Sequence, residues 1–178
     1  VEDLSSDRMS DRFFRSSEEW AAEKFQEIKS MPWDADVMPS YVEVNFNPAC
    51  QFKCLYCSPV LSSSWMQEMK KNGPYQTKEP HVPIEFLEKQ DLMPIQDPET
   101  NPYVKAFWQW WPELYPHLRV FRMTGGEPLL DENTFRIFDY AKHNPHPELS
   151  LSITSNMCLP DKNFERFLGE IKELKAKH

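Results

Sequence analysis

The sequence is poor in glycine and has no long apolar run. It contains four glycines against 16 prolines, and no stretch approaches the roughly 18 uninterrupted apolar residues of a membrane span. Its first residues, VEDLSSDRMSDRFF, lack the basic-then-apolar order of a signal peptide. We therefore expect no membrane partner and a cytoplasmic location.

Clustered basic residues are also absent. The chain has 20 Lys and Arg against 28 Asp and Glu, a formal net charge of -8, and such a surface repels a phosphate backbone. A nucleic-acid partner is therefore not expected. Hydrophobic residues make up 40% of the 178 positions, which is enough for one packed domain.

Cysteine is scarce, but three of the four cysteines lie close together. Cys50, Cys54 and Cys57 fall within eight positions, and Cys158 is far away in the sequence. Two disulfides built from this set would close very short rings, so a disulfide framework is not expected. The cluster favours metal or iron-sulfur binding, and Cys158 is predicted to be a small buried residue.

Hydrophobic periodicity predicts alternating strands and helices. Strands are predicted at 41–47, 118–123 and 149–155, and the first and third have one apolar and one polar face. Helices are predicted at about 17–29, 65–71, 84–89, 102–111 and 132–143, and from 161 onward, with caps at Ser16 or Ser17, Ser64, Asp131 and Asp161. Pro112 is expected to end or kink its helix. Every strand-to-strand connection is long enough for a crossover, which predicts an α/β fold with a parallel sheet.

An unusual segment follows each predicted strand. The cysteine cluster follows the first, Gly125-Gly126-Glu127 follows the second, and Ser155-Asn156 follows the third. In parallel sheets the working groups lie at the carboxyl ends of the strands. We therefore expect these three segments to form one site.

The segments resemble the motifs of the radical S-adenosylmethionine (SAM) superfamily. C-x-x-x-C-x-x-C with an aromatic residue before the last cysteine, here Tyr56, is the family signature, and Met123 to Leu129 is similar to its Gly-Gly-Glu motif. Ile153 to Asn156 resembles the third-strand pattern. The resemblance covers residues 41 to about 175.

Membership of this superfamily implies a specific cofactor arrangement. Cys50, Cys54 and Cys57 would hold a 4Fe-4S cluster whose open iron binds SAM. Reductive cleavage of SAM then gives a 5'-deoxyadenosyl radical, which abstracts hydrogen from the substrate. The residues implied to contact SAM are Tyr56, Gly125, Gly126, Glu127, Ser155 and Asn156, with Glu127 near the ammonium group. No side chain is assigned as catalytic.

The resemblance also implies an overall architecture. The family has a partial (β/α) barrel of roughly six units, fewer than the eight of a full barrel, and this sequence contains three. We therefore expect a helical extension at 1–40 and the amino-terminal half of such a barrel at 41–178, with an insertion at about 58–117. The segments most resemble the SPASM/twitch-type branch, so further clusters would lie beyond His178. The implied partners are SAM, a peptide, protein or small-metabolite substrate, and an electron donor such as flavodoxin or ferredoxin.

Other interpretations of the same residues stay open. The three cysteines and a histidine could hold a structural zinc ion, or the chain could be a non-catalytic iron-sulfur interaction module. The polar strand residues could line a barrel interior or face water; they are Glu43, Asn45, Arg122, Ser150 and Ser152.

Overall fold

The computed structural model describes residues 11–76, 78, 83–95, 97 and 99–177. The first ten residues of the predicted extension and His178 lie outside this range, as do seven positions of the predicted insertion. The boundaries at 40, 58 and 117 stay predictions. The helices are α1 (Asp11–Ser16), α2 (Glu19–Lys29), α3 (Ser63–Asn72), α4 (Ile84–Lys89), α5 (Pro102–Leu114), α6 (Glu132–His143) and α7 (Asp161–Lys177).

Three parallel strands form one sheet in the order β1 (Tyr41–Val44), β2 (Val120–Met123) and β3 (Ser150–Ile153). The prediction of an α/β fold with a parallel sheet is confirmed, and closure into a partial barrel stays a prediction. Each strand is shorter than its sequence pattern: β1 ends three residues early, β2 begins two residues late, and β3 loses one residue at its start and two at its end. No helix of the described residues is long and apolar enough to cross a membrane.

The helices α5, α6 and α7 cover one face of the sheet. Phe121 and Met123 of β2 form the apolar centre of this face. Trp111 and Leu114 of α5 are fully buried in the same core. From α6 and α7, the buried residues of this core are Phe135, Ile137, Phe138, Ala141 and Leu174. The opposite face carries the polar strand residues, with Glu43 beside Arg122 and Arg122 beside Ser152 in register.

Packing overrides two predicted helix boundaries. The helix α5 continues through Pro112 to Leu114, since the burial of Trp111 and Leu114 offsets the roughly 3 kcal/mol cost of an interior proline. The cap of α3 is Ser62, whose Oγ accepts a hydrogen bond from the Trp65 amide, rather than the predicted Ser64.

The second helix, α2, packs only lightly on the sheet. It starts after Glu18, which gives no side-chain cap, so the predicted cap at Ser16 or Ser17 is wrong. Trp20 stacks near Tyr41 with ring centroids 4.9 Å apart, and no residue of α2 is buried.

Candidate functional site

The cysteine loop, residues 45–62, follows β1 at the carboxyl edge of the sheet. Cys50, Cys54 and Cys57 are free thiols and partly buried. A turn brings the last two together, because the Cys57 amide donates to the Cys54 carbonyl at 2.9 Å. The Phe52 amide points to the Cys50 Sγ at 3.4 Å. The loop therefore presents three thiols at one edge of the sheet.

These donors fit an iron-sulfur cluster chemically. Among the residues that the structure describes, no three His, Cys, Asp or Glu side chains converge as a group that could hold a metal ion. A four-iron cluster takes one thiolate at each of three irons, whereas zinc needs its ligands around one point. Burial raises the pKa of the Cys57 thiol, and iron would offset this by stabilising the thiolate.

Tyr56 projects from the loop into solvent, with 93% of its surface exposed. Its pKa is raised, chiefly by a hydrogen bond with the Cys54 thiol. The predicted contact of this residue with SAM stays a prediction.

The loop's first residues pack on the Gly-Gly-Glu segment. A Cβ at Gly126 would lie 2.7 Å from the Pro48 carbonyl carbon and 2.8 Å from that of Ala49. The Glu127 amide donates to the Ala49 carbonyl at 2.7 Å. Gly126 is therefore required by the approach of the cysteine loop, a reason that the sequence comparison with SAM-binding motifs did not provide.

Glycine is required at position 125 by its own backbone conformation. Its φ of +107° favours glycine, and a Cβ there would lie 2.8 Å from the Asn45 Nδ2. Nearby, the Asn47 side chain donates to Asp131, the cap of α6, and accepts from the Ala49 amide at 2.7 Å. Burial raises the pKa of Asp131.

The Glu127 carboxylate is buried, with 2% of the residue exposed. Its Oε1 accepts from the Ser155 hydroxyl at 2.7 Å and from the Leu129 amide at 3.1 Å. Its Oε2 accepts from the Asn156 amide at 2.7 Å. The carboxylate thus joins the end of β2 to the turn after β3, and its predicted contact with the SAM ammonium stays a prediction.

Asn156 connects that turn to the cysteine loop. Its Oδ1 accepts from the Cys158 amide at 2.8 Å and from the Gln51 side chain at 3.2 Å, and its Nδ2 lies 3.9 Å from the Cys50 Sγ. The structure thus brings the three predicted segments together. Cys158 itself is exposed, so the prediction that it is buried is wrong; it lies in the loop between β3 and α7.

Sequence reasoning missed one group of contacts to the loop. The segment Ser62–Trp65, which starts α3, supplies hydroxyl and indole groups to the carbonyls of the cysteine loop. Three consecutive serines directly before a tryptophan, a few residues after the cysteines, were the available signal. The same serines also match a helix cap, which is what the sequence pattern alone predicts.

The polar face of the sheet leads up to this edge. Arg122 donates through Nη2 to the Thr154 hydroxyl at 3.0 Å, and its Nε lies 3.9 Å from the Glu43 carboxylate. Glu43 also accepts from Tyr41 and Thr124, each at 2.9 Å. A charged network therefore lies on the face that α5, α6 and α7 do not cover.

Comparison with known proteins supports one relationship. The chain is 29% identical over 128 residues to GTP 3',8-cyclase of Sulfurimonas denitrificans. The match covers 70% of this chain and 29% of that relative, so the chain spans less than a third of the relative's length. No protein-family model and no solved structure matches.

This similarity to a radical SAM enzyme supports a relationship with that superfamily. It supports neither the SPASM/twitch branch nor a peptide substrate. Those two parts of the sequence interpretation stay predictions.

Proposed function

We propose that this chain is the cluster- and SAM-binding portion of a radical SAM enzyme. One observation carries the proposal. Hydrogen bonds gather the cysteine loop, the Gly-Gly-Glu segment and the Ser155-Asn156 turn at one edge of a parallel sheet. In such sheets this edge is where ligands bind, and the similarity to GTP 3',8-cyclase supports the same class.

In this proposal Cys50, Cys54 and Cys57 hold a 4Fe-4S cluster and leave one iron open. When bound, the cluster supplies the electron for reductive cleavage of SAM, which starts hydrogen-atom abstraction from the substrate. The protein's own contribution is to hold the thiolates at a fixed spacing and to position SAM against the substrate. A flavodoxin or ferredoxin would reduce the cluster.

The SAM subsite follows from which polar groups already have partners. Glu127 and Ser155 bond each other, so we assign the ammonium group to the backbone carbonyls of Gly125 and Gly126. Glu127 then acts by holding the turn that contains Asn156. Tyr56, next to the last cysteine, would contact the adenine through its backbone.

The substrate would meet the polar face of the sheet. Arg122 and Glu43 present opposite charges there, each with about 42% of its side chain exposed. Paired charges on an open face suit a polar or charged substrate rather than an apolar one. GTP, named in the relative's activity, is of that kind, and so are the peptide, protein and small-metabolite substrates that the motifs suggest.

Anaerobic reconstitution with iron and sulfide tests the proposal. We expect the protein to gain visible charge-transfer absorption and roughly four irons per chain, because the three thiolates supply cluster ligands. Replacing Cys50, Cys54 and Cys57 together by Ala should abolish both signals. The matched control is Cys158→Ala, which should leave both unchanged because Cys158 lies outside the cysteine loop.

Two outcomes would contradict this assignment. Iron and sulfide retained by the triple variant would remove the cysteines from the site. A colourless protein that takes up zinc through the same three cysteines would favour the alternative, a non-catalytic zinc-binding module, because zinc gives no visible charge-transfer bands.

A further inference from the structure

The first turn of α3 is bonded to the cysteine loop around Cys50. The Ser63 Oγ accepts from the Cys50 amide at 3.1 Å and lies 3.2 Å from the Cys50 carbonyl oxygen. The Ser64 Oγ donates to the same carbonyl at 2.7 Å. The Ser63 amide donates to the Pro48 carbonyl at 2.8 Å. Two consecutive serines therefore hold the backbone on both sides of the first cysteine.

Contacts on either side of these serines extend the attachment along the loop. The Ser62 Oγ donates to the Phe52 carbonyl at 2.7 Å, and the Trp65 Nε1 donates to the Cys54 carbonyl at 2.9 Å. We call Ser62–Trp65 the serine clamp. The clamp therefore bonds the carbonyls of four loop residues, which are Pro48, Cys50, Phe52 and Cys54.

The clamp is itself anchored in a small apolar core. Ser62 is 1% exposed and Trp65 is 8% exposed. Trp65 packs with Met66, Met69 and Ile84, and Cys57 packs against this cluster. All three cysteines are therefore held by the clamp and its core. Cys50 and Cys54 are held through hydrogen bonds, and Cys57 is held through apolar contact.

Helix capping does not account for these contacts. Only Ser62 caps α3, since its Oγ accepts from the Trp65 amide. Serine is a poorer helix former than alanine, so Ser63 and Ser64 in the first turn do not favour the helix. Their hydroxyls bond to Cys50 instead. The clamp bonds the loop through its carbonyl oxygens. The backbone amides of the loop can therefore point to the cysteine sulfurs, as the Phe52 amide does at the Cys50 Sγ.

We propose that the serine clamp preorganises the cysteine loop for its cluster, with Ser63 and Trp65 as positioning residues. The inference rests on the proposed function, because it assigns the loop to an iron-sulfur cluster. Ordering a loop costs conformational entropy. A loop that is already held before the metal arrives avoids that cost at binding, so it should take up the cluster more readily and release it more slowly.

The test compares Ser63→Ala and Trp65→Phe with the parent protein after anaerobic reconstitution. Each variant removes one or two hydrogen bonds to the loop and keeps most of the side-chain volume. We expect iron loss to an added chelator, followed by the decay of visible absorption, to be about 3- to 10-fold faster in each variant. Ser63→Thr keeps the hydroxyl and should restore the parent rate.

Matched controls remove the same groups elsewhere. Ser30→Ala deletes a hydroxyl at the end of α2, and Trp33→Phe changes a tryptophan that is almost fully exposed. Both should release iron at the parent rate. The metal-free Ser63→Ala protein should melt close to the parent temperature, because the better helix propensity of alanine offsets part of the lost hydrogen bonding to Cys50. A purely structural role of Ser63 in α3 would not combine unchanged melting with faster iron loss.

Hydrogen exchange gives a readout without metal. The Cys50 amide donates to the Ser63 hydroxyl, so its exchange in the metal-free protein should be about 3- to 10-fold faster in Ser63→Ala. Iron release and amide exchange both equal to the parent would overturn the clamp alone. A parent protein that takes up no iron would overturn the proposed function, and the clamp's role toward a cluster with it.

Discussion

The helix-covered face of β2 and its carboxyl end are held by different interactions. On the helix-covered side, aromatic rings pack around Phe121, with the Trp111 ring centroid 4.7 Å from its own. At the carboxyl edge, the chain turns into Gly125-Gly126-Glu127, which is fixed by hydrogen bonds to the cysteine loop and to the turn after β3. One strand thus joins an apolar core to a polar edge.

This difference separates stability from ligand positioning. Burial of large rings contributes several kcal/mol per side chain, whereas a single hydrogen bond contributes about 1 kcal/mol net but fixes a direction. Core variants should therefore lower the free energy of unfolding most. Variants at the edge should cost less stability and displace the groups proposed to hold the cluster and SAM.

The largest effect is expected in the core. Phe121→Ala removes a fully buried ring that contacts Trp111 and Phe107, and it should lower the free energy of unfolding by about 3 to 5 kcal/mol. Denaturant unfolding of the metal-free protein measures this. Tyr103→Ala is the matched control, since Tyr103 is largely exposed on α5 and its loss should change stability by less than about 0.5 kcal/mol. Equal losses in the two variants would refute the packing argument.

Much of the fold could be predicted because periodicity reports which face is buried. The alternation of Leu149, Leu151 and Ile153 with polar residues identified both β3 and its apolar face, and these three side chains pack on the core. The Asp131 cap was also correct. The boundary at Pro112 was not, because the burial of Trp111 that offsets the proline depends on distant contacts.

The site was predictable in its parts and not in its connections. Spacing marked the cysteines as candidate ligands, and the predicted strand order placed them near Gly126 and Glu127. No pattern in one sequence shows that Glu127 is buried, that Ser63 turns back to Cys50, or that Gly126 makes room for the cysteine loop. Those facts depend on which loops approach each other in three dimensions.

An intermediate effect is expected where the loop meets the second strand. Gly126→Ala places a methyl group against the carbonyl carbons of Pro48 and Ala49. Because these are backbone atoms, they cannot move aside by a side-chain rotation, so the cysteine loop must shift. Unfolding free energy should fall by about 1 to 3 kcal/mol, and the variant should retain less iron after reconstitution.

The same substitution on α7 provides the control for Gly126. A Cβ at Gly169 would meet nothing within 4 Å, so Gly169→Ala should raise the free energy of unfolding by about 0.5 to 1 kcal/mol through helix propensity. Iron retention should equal that of the parent. If both alanines raised stability, the close approach of the loop to Gly126 would be wrong.

The smallest loss of stability is expected at the polar edge itself. Glu127→Gln keeps the shape of the side chain but replaces one carboxylate oxygen by an amide nitrogen. Because that nitrogen cannot accept a hydrogen bond, the side chain can no longer accept at both positions, from the Ser155 hydroxyl and from the Asn156 amide. The free energy of unfolding, measured without SAM, should fall by about 1 to 2 kcal/mol. SAM affinity, measured by equilibrium binding to the reconstituted protein, should fall by less than about tenfold, because the carboxylate acts through the turn.

Ser155→Ala, which removes one donor to the same carboxylate and no charge, should change both the free energy of unfolding and the SAM affinity in the same direction. Unchanged stability with a loss of SAM affinity of about tenfold to a hundredfold would instead make Glu127 a direct ligand of the ammonium group.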